Sequence, residues 1–561
     1  MHATICQHSM SMQRLGVFVA AGLLTSCMVG PDFKVPQAEV ERQWMERKAV
    51  SGKTYGDPEI FWWRSFNDPV LTRLVQMAYE NNLSLQAAGA RILQVRAALN
   101  HSIGNLFPQQ QGLTGALDYS YIPPSKDGSG LGSSDPVINA LAQNLSQQNQ
   151  GFSIGPNLLT DQALFAATWE IDFWGKYRRK IESEKANYLS TVAAYDDALV
   201  TLIGDVANTY VNIRTVQREI TITNENIELQ KESLRIAQVR YQSGETSELD
   251  PSQAQTQLLK TQAEIPALET SLRQLENSLA VLIGQTPNKV SALVKTGVIP
   301  SVPASIAAGI PHDLLRRRPD VRQAGLLAAS KCAMIGVQVA QMLPALSLSG
   351  SFGGSSSNIG NQQLSDIFNL QNAIVNVGGN IAMPVLNYGR LINNVRERDA
   401  IFQEAILNYQ NTVLAAQKDV ENGLSQFHNG RMSTAVLAEA VQSAKTSTSL
   451  ALARYKAGQT DYTTVLSAEQ ALLSVELSYT GAQNAAALGA VNTYRSLGGG
   501  WQIRNGGDVI SEAVKKQMAE RTNWGRMLAP KNHLPAITPE DRPAESVPRS
   551  RPLWDLLNIN K

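Results

Sequence analysis

An internal repeat constrains the fold of this chain more than any other feature of its sequence. When Gly175 is placed on Gly389, the sequence matches itself without a gap, so that Tyr195 meets Tyr409 and Gly284 meets Gly498. Further upstream, Ala97 aligns with Ala333 and Pro108 with Pro344, which locates an insertion between Pro108 and Gly175. A register held over this length predicts two halves that build the same structure.

Each half contains a long segment without proline that predicts a helical hairpin. In the first half it runs from Gly175 to Gly244, at about 1.5 Å per residue some 100 Å of helix. Apolar residues recur there at spacings of three and four, which is typical of coiled-coil packing. Gly244 is expected to end the helix and Ser247 to cap its partner, which returns to Gly284. The second half repeats this pattern from Gly389 through Gly458 to Gly498.

Four segments of about ten residues alternate between apolar and small or polar side chains, which is the signature of membrane β-barrel strands. Their apolar positions include Leu113, Leu117 and Tyr119; Phe165, Trp169 and Ile171; Leu346, Leu348 and Phe352; and Val375, Val377 and Ile381. The expected connections run from Ile122 to Asp161 and from Gly353 to Gln371. A half-buried sheet of a soluble protein is the alternative.

A β-sheet in lipid must close into a barrel, because a free edge would leave backbone groups unpaired, and the smallest barrels have about eight strands. Four strands therefore cannot close within one chain, and several chains must share one barrel. The long helices exceed the roughly 30 Å of a bilayer and are expected to project into the periplasm.

The N-terminus has the pattern of a secretory signal. Arg14 precedes an apolar run from Leu15 to Leu24, which is too short to span a bilayer as a helix. Thr25, Ser26 and Cys27 follow this run. The Leu-x-Ser-Cys order resembles a bacterial lipobox, which predicts a signal peptide over residues 1–26 and S-diacylglycerol and N-palmitoyl groups on Cys27. An ordinary signal peptide with an incidental cysteine is the alternative. Met28 after the cysteine indicates the outer membrane by the sorting pattern, and translation starts at Met1, Met10 or Met12.

The composition argues against several classes of protein. The formal net charge is +1 and only 17% of residues are charged, so there is no basic field for nucleic acid. Three cysteines (Cys6, Cys27 and Cys332) and six histidines show no metal-ligand spacing, and after processing no intrachain disulfide is available. No catalytic motif is found, so neither an enzyme nor a cofactor is expected.

Several motifs together resemble the TolC-like outer-membrane efflux proteins, specifically the NodT-type lipoprotein branch. The resemblance covers about Cys27 to Trp501. The segments that carry it are Cys27 to Phe33, Trp62 to Arg64, Asp68 to Leu71, Ala90 to Ile92, Trp169 to Gly175, Arg317 to Val321 and Leu497 to Trp501.

This resemblance implies a membrane α+β fold, built as a homotrimer. A twelve-stranded barrel, four strands from each chain, would continue into a helical coiled-coil barrel with a mixed equatorial domain. Its periplasmic end would be closed at rest and would open when an inner-membrane pump of the resistance-nodulation-division type and a periplasmic adaptor dock.

The chain is expected to divide into six segments. These are the signal peptide (1–26), a lipidated segment (27–67), a first repeat (68–284, with a hairpin at 111–173), a linker (285–312), a second repeat (313–501, with a hairpin at 345–386) and an extension (502–561) that contains prolines. The extension is expected either to lie on the equatorial domain or to be disordered.

Functional residues are expected at the helical turns farthest from the barrel. Threefold copies would place rings of charge there, of which carboxylate rings would favour cations, and arginine–carboxylate pairs could lock the closed state. Helix caps and solvated helix ends are the alternative interpretation. The candidates are Arg240, Tyr241, Glu248, Asp250, Arg454, Tyr455, Asp461, Tyr462, Thr463 and Ser467. Thr463 and Ser467 stand where this branch often carries Leu and Asp, so the family's gate does not transfer directly. Arg317 to Asp320 reads as a helix start with paired arginines rather than an anion site.

The leading prediction is a passive outer-membrane conduit that exports drugs or other small solutes. Alternatives are the outer-membrane component of a type I protein secretion system and a periplasmic coiled-coil lipoprotein without a pore.

Overall fold

The computed structural model describes residues 28–46, 60–121, 157–303, 305–306, 317–358, 367–504 and 508–529. The predicted signal peptide and Cys27 lie outside these ranges. The helices are α1 Pro69–Asn81, α2 Leu83–Gly104, α3 Lys176–Gln242, α4 Leu249–Leu282, α5 Pro287–Leu293, α6 Pro319–Ala340, α7 Arg390–Lys456, α8 Tyr462–Ser496 and α9 Glu512–Arg521. The strands are β1 Gln110–Tyr121, β2 Asn157–Ile171, β3 Ala345–Ser357 and β4 Ala373–Ala382.

The two predicted helical hairpins are present. α3 and α7 each have 67 residues, and their returning partners α4 and α8 have 34 and 35. α4 continues through Pro266, which lies inside the helix. The long helices therefore form where the heptad pattern places them.

The hairpin turns have the same backbone geometry in both halves. Gly244 and Gly458 have φ angles of +79° and +69°, the left-handed conformation that a side chain disfavours. Behind Gly244, the amide of Glu245 bonds to the carbonyl of Arg240 at 2.9 Å, the bond that closes a Schellman cap. Ser247 is not the cap that was predicted, because Glu248 occupies the N-cap position of α4 and forms no side-chain capping bond. Ser247 lies one residue earlier, and its Oγ accepts from the amide of Leu249 at 3.3 Å.

The strands form one antiparallel sheet in the order β1-β2-β3-β4. Two predicted connections were placed wrongly, because β2 already begins at Asn157 and β3 continues to Ser357. The run from Gly353 to Ser357 is small or polar on both faces, so alternation could not reveal it as strand. It is held instead by its backbone pairing with Thr160 to Leu164.

One row of apolar side chains crosses all four strands on a single face. Leu113 is opposite Phe165, Phe165 is opposite Phe352, and Phe352 is opposite Val375. Their side chains are 80%, 49%, 60% and 65% exposed, respectively, in the chain. The face predicted to be apolar is thus not covered by any described part of this chain.

By contacts the chain separates into two units. The first comprises Met1–Asp32, Ala98–Lys185 and Ser330–Ile401 and includes the sheet. In this unit Arg179, 2% exposed at its side chain, bonds to the carbonyls of Val29 and Gly30 and pairs with Asp32 at 2.8 Å. The segment that follows Cys27 is therefore tied to the start of α3.

The second unit comprises Phe33–Ala97, Ala186–Ala329 and Phe402–Lys561 and has the largest apolar core. Trp62, Trp63 and Phe66 are buried there, and Trp62 stacks on Tyr494 with ring centroids 5.6 Å apart. α9 packs on α2 through an apolar cluster that includes Met518 and Leu93. Residues 508–529 of the extension are thus ordered, whereas its prolines from 530 onward lie outside the described residues.

No helix in the described part of the chain is both long enough and apolar enough to cross a membrane. Cys332 is buried and free.

Candidate functional site

The tips of the two helical hairpins are joined by a clamp, which we define as Arg240, Thr246, Asp250 and Tyr455. Arg240 lies in the last turn of α3, and its guanidinium donates to the main-chain carbonyl of Tyr455 near the end of α7. The same guanidinium lies over the Tyr455 ring, 4.6 Å from its centroid. A cation at the C-terminal end of a helix satisfies a free carbonyl and favours the helix dipole. Arg240 thereby stabilises the C-terminal ends of both α3 and α7.

Tyr455 forms the second connection of the clamp. Its ring is 1% exposed, and its hydroxyl donates to Asp250 Oδ2 at 2.8 Å. The hydroxyl of Thr246 donates to the same oxygen at 2.8 Å. Burial, with the bond to Asp250, raises the pKa of Tyr455 to about 12, so the phenol remains a donor over the physiological range.

Arginine–carboxylate pairs do not join the hairpins at this clamp. Arg240 pairs with Glu245 of its own turn, at 3.2 Å, because the turn brings that carboxylate back over the helix end. At the tip, Lys456 of α7 pairs with Glu232 of α3 at 3.8 Å. Far from the tip, Arg495 of α8 pairs with Asp205 of α3 at 3.1 Å. Glu232 is also bound by Arg235 at 2.7 Å, and this hydrogen bond lowers the pKa of Glu232.

The other predicted aperture residues fall into two groups. Tyr462 is 1% exposed and packs edge-on against Tyr455, with ring centroids 5.3 Å apart, so it belongs to the core of the tip. Asp461 precedes α8 without a side-chain capping bond. The second group is exposed to solvent in one chain and comprises Tyr241, Glu248, Arg454, Asp461, Thr463 and Ser467.

Beyond the tip, α3 and α8 share a buried polar face that sequence reasoning did not select. α3 contributes Asn226, Gln230 and Ser233, and α8 contributes Glu469 and Glu476. Ser233 donates to Glu469, and Asn226 donates to Glu476 at 2.9 Å. Gln230 stands three residues after Ile227 and four before Leu234, which is a core position of the heptad in α3. A polar residue at such a position is the signal in the sequence for this face.

The Arg317 to Asp320 motif is structural, as predicted. Arg318 binds both carboxylate oxygens of Asp320, at 3.0 and 2.7 Å, and donates to the carbonyl of Ser496 at 2.8 Å. It therefore joins the start of α6 to the end of α8. Among the described residues no group of acidic, histidine or cysteine side chains could hold a metal ion.

Comparisons with known proteins agree with this architecture. The family model "Outer membrane efflux protein" matches residues 74–285 and 310–499, well over half of the chain. The pyoverdine export outer membrane protein OpmQ of Pseudomonas aeruginosa is 28% identical over 501 residues, which cover 88% of this chain and 98% of OpmQ. Nodulation protein T of Rhizobium leguminosarum bv. viciae is 28% identical over 473 residues, covering 84% and 90% of the two chains.

Solved structures show the same fold. The outer-membrane channel OprN superposes with a TM-score of 0.76 at 27% identity and covers 85% of this chain and 100% of its own. The CmeC channel of Campylobacter jejuni superposes with a TM-score of 0.72 at 22% identity, over 89% and 99% of the two chains. The chain therefore belongs to the outer membrane efflux protein family and is an outer-membrane efflux channel.

Proposed function

We propose that three copies of this chain form a passive conduit for drugs or other small solutes. An inner-membrane pump of the resistance-nodulation-division type and a periplasmic adaptor would deliver the cargo. The relatives support small cargo, since one is named for pyoverdine export and another, in Pseudomonas putida, as part of a solvent efflux pump.

The exposed apolar row from Leu113 to Val375 carries this proposal. A soluble protein rarely leaves such a face uncovered, whereas lipid covers it without cost. The outer edges of β1 and β4 have no partner strand in the described chain, and in lipid such edges must be paired. Four strands from each of three chains would close a twelve-stranded barrel. Light scattering of the detergent-purified protein should give three times the mass of one chain.

We also propose that the two halves are structural repeats and that the long hairpins are the periplasmic part of the channel. The equal lengths of α3 and α7, and the identical cap geometry at their ends, support this. The anchor would be the acylated Cys27, because the segment from Val29 to Asp32 is tied to Arg179 directly after it.

The clamp at the hairpin tips is proposed to hold the conduit closed. It connects α3 and α4 to α7 through hydrogen bonds at Arg240 and Tyr455. Separation of the hairpins would break both connections, each worth roughly 1–3 kcal/mol where a charged partner takes part. A pump and adaptor that bind the separated state more tightly would therefore open it.

Conductance of the purified trimer in planar bilayers tests this proposal. The double variant Tyr455→Phe and Asp250→Asn removes one connection and should raise the open probability several-fold. Tyr241→Phe is the matched control, a tip tyrosine that is exposed, and should behave as the native protein. A trimer without conductance in all three forms would overturn the channel. In cells, loss of protein secretion with unchanged drug tolerance on deletion would favour the secretion alternative.

A further inference from the structure

The two carboxylates on the buried polar face between α3 and α8 have different surroundings. Glu476 accepts from Asn226 and pairs with Lys445 of α7 at 3.1 Å, so its charge is compensated. Glu469 is 0% exposed, and one of its oxygens accepts from the Ser233 hydroxyl. Within the described residues its second oxygen has no hydrogen-bond partner, and no cation lies within 4.0 Å of it.

A buried charge without a counter-ion costs several kcal/mol, and a carboxylate avoids that cost by taking up a proton. The structure assigns Glu469 as a proton-binding site that holds α8 against α3 when protonated and releases its proton when the two helices separate. Gln230, one turn before Ser233 on α3, is 1% exposed, and its side-chain amide likewise has no hydrogen-bond partner among the described residues.

The groups around Glu469 leave its charge uncompensated. Thr448 of α7 donates to the carbonyl of Ala468, and Gln257 of α4 bonds to Gln470 at 2.9 Å, so both approach α8 as neutral groups. Burial raises the pKa of Glu469, and the bond from Ser233 opposes this only in part. Of the titratable groups on these helices, Tyr462 of α8 interacts electrostatically with Glu469, whereas Lys445 of α7 is paired with Glu476. Tyr455 of α7 and Asp250 of α4 are bonded to each other. On α3, Lys231 and Arg235 pair with Glu228 and Glu232 on the exposed side of the helix.

The direction of the pH effect follows from this placement. The pKa of Glu469 is raised in the packed state, so protonation stabilises that state at low pH. As the pH rises through this pKa, the packed state loses stability, by up to about tenfold in its equilibrium with the separated state per pH unit. Alkaline conditions are thus expected to favour separation of the hairpins.

Amide hydrogen exchange of the purified trimer tests the inference. The exchange rates of peptides from residues 226–236 and 462–476 are measured at about pH 5.5 to 8.5. Each rate is divided by the exchange rate of the same unstructured sequence at that pH. Protection in the native protein should fall as the pH rises, whereas Glu469→Gln should remove this pH dependence. Glu476→Gln is the matched control, a buried acid on the same helix, and should retain it. Equal pH profiles for the native protein and Glu469→Gln would overturn the inference.

A second variant guards against a Glu469 variant that does not assemble. Ser233→Ala removes the donor that favours the charged form, so the protection profile should move to higher pH. An unmoved profile would contradict the assignment.

The link to gating rests on the proposed conduit, and the two ideas can fail separately. Conductance that is present while exchange shows no dependence on Glu469 would sink the proton site and leave the channel intact. Exchange that depends on Glu469 in a trimer that never conducts would leave the proton site intact and overturn the channel.

Discussion

Asp196 and Asp197 are adjacent on α3 and have opposite electrostatic surroundings. Asp196 is 0% exposed and is bound by the buried guanidinium of Arg504. Asp197 lies on a polar cavity of about 460 Å³ beside Arg318. Burial first, and then the charge of nearby Asp320, raise the pKa of Asp197 to about 6. Asp196 therefore has its own cation, whereas Asp197 lies beside an Arg318 that is already bound to Asp320.

This difference predicts a stability effect that depends on pH. The pKa of Asp197 is raised, so its contribution is fully present below its ordinary pKa and is lost as the pH rises through about 6. Asp197→Asn should therefore raise the Tm at about pH 8, by an amount corresponding to roughly 2–3 kcal/mol, and change little near pH 4. Thermal unfolding at both pH values checks it. Equal Tm shifts at the two pH values would contradict the prediction.

The contact between α7 and α8 depends on small residues where the helices approach each other. A Cβ built on Gly489 of α8 would lie 2.4 Å from the backbone nitrogen of Phe427 on α7, a distance that side chains do not tolerate. A Cβ built on Gly423 or Gly430 of α7 would likewise lie only 2.8 Å from Thr493 or 2.6 Å from Ala486 of α8. The heptad pattern predicted that these helices pack together, but the glycines determine how close they come.

Two glycines on α8 allow the effect of close helix packing on stability to be distinguished from the effect of helix propensity. Gly489→Ala forces the helices apart and should destabilise the protein by roughly 1–3 kcal/mol. Gly481→Ala is the matched control, because its added Cβ meets no atom within 4 Å, and should be neutral or stabilising by up to about 1 kcal/mol. Denaturant midpoints of the two variants measure the difference, and equal midpoints would show that the close approach is unimportant.

In the second unit, a segment from near each end of the chain packs on the long helices or on α2. The segment before α1 lies along α7, where the side chain of Gln417 bonds to the backbone of both Glu39 and Glu41 at 3.0 and 3.1 Å. At the other end, Ile510 and Met518 are buried with Leu93 of α2. Both terminal segments therefore contribute packing to the helical unit.

Two truncations distinguish the ordered part of the extension from the remainder. Deletion of residues 502–561 exposes the apolar cluster around Leu93 and should lower stability by several kcal/mol, at roughly 1.5–3 kcal/mol per buried apolar side chain. Deletion of residues 530–561 leaves that cluster intact and should have little effect. The Tm values of the two purified truncated proteins provide the measurement. The prediction fails if both deletions lower the Tm equally.

Local patterns were sufficient for the positions of the long helices, their glycine turns and the apolar face of each strand. The heptad spacing, the left-handed preference of Gly244 and the alternation along β1 are properties of neighbouring residues, and neighbouring residues determine periodicity and backbone conformation. The family could be recognised from the sequence for a related reason, since its motifs are short and contiguous.

The contacts that distinguish this chain depend on residues far apart in sequence. The pairing of β2 with β3, the bond from Arg240 to the carbonyl of Tyr455 and the docking of α9 on α2 each join distant segments. A polar residue at a core heptad position signals that something faces it but does not identify the partner. Glu469 shows this most clearly, because its burial and its lack of a counter-ion result from four helices packing together, and only the tertiary structure brings them there.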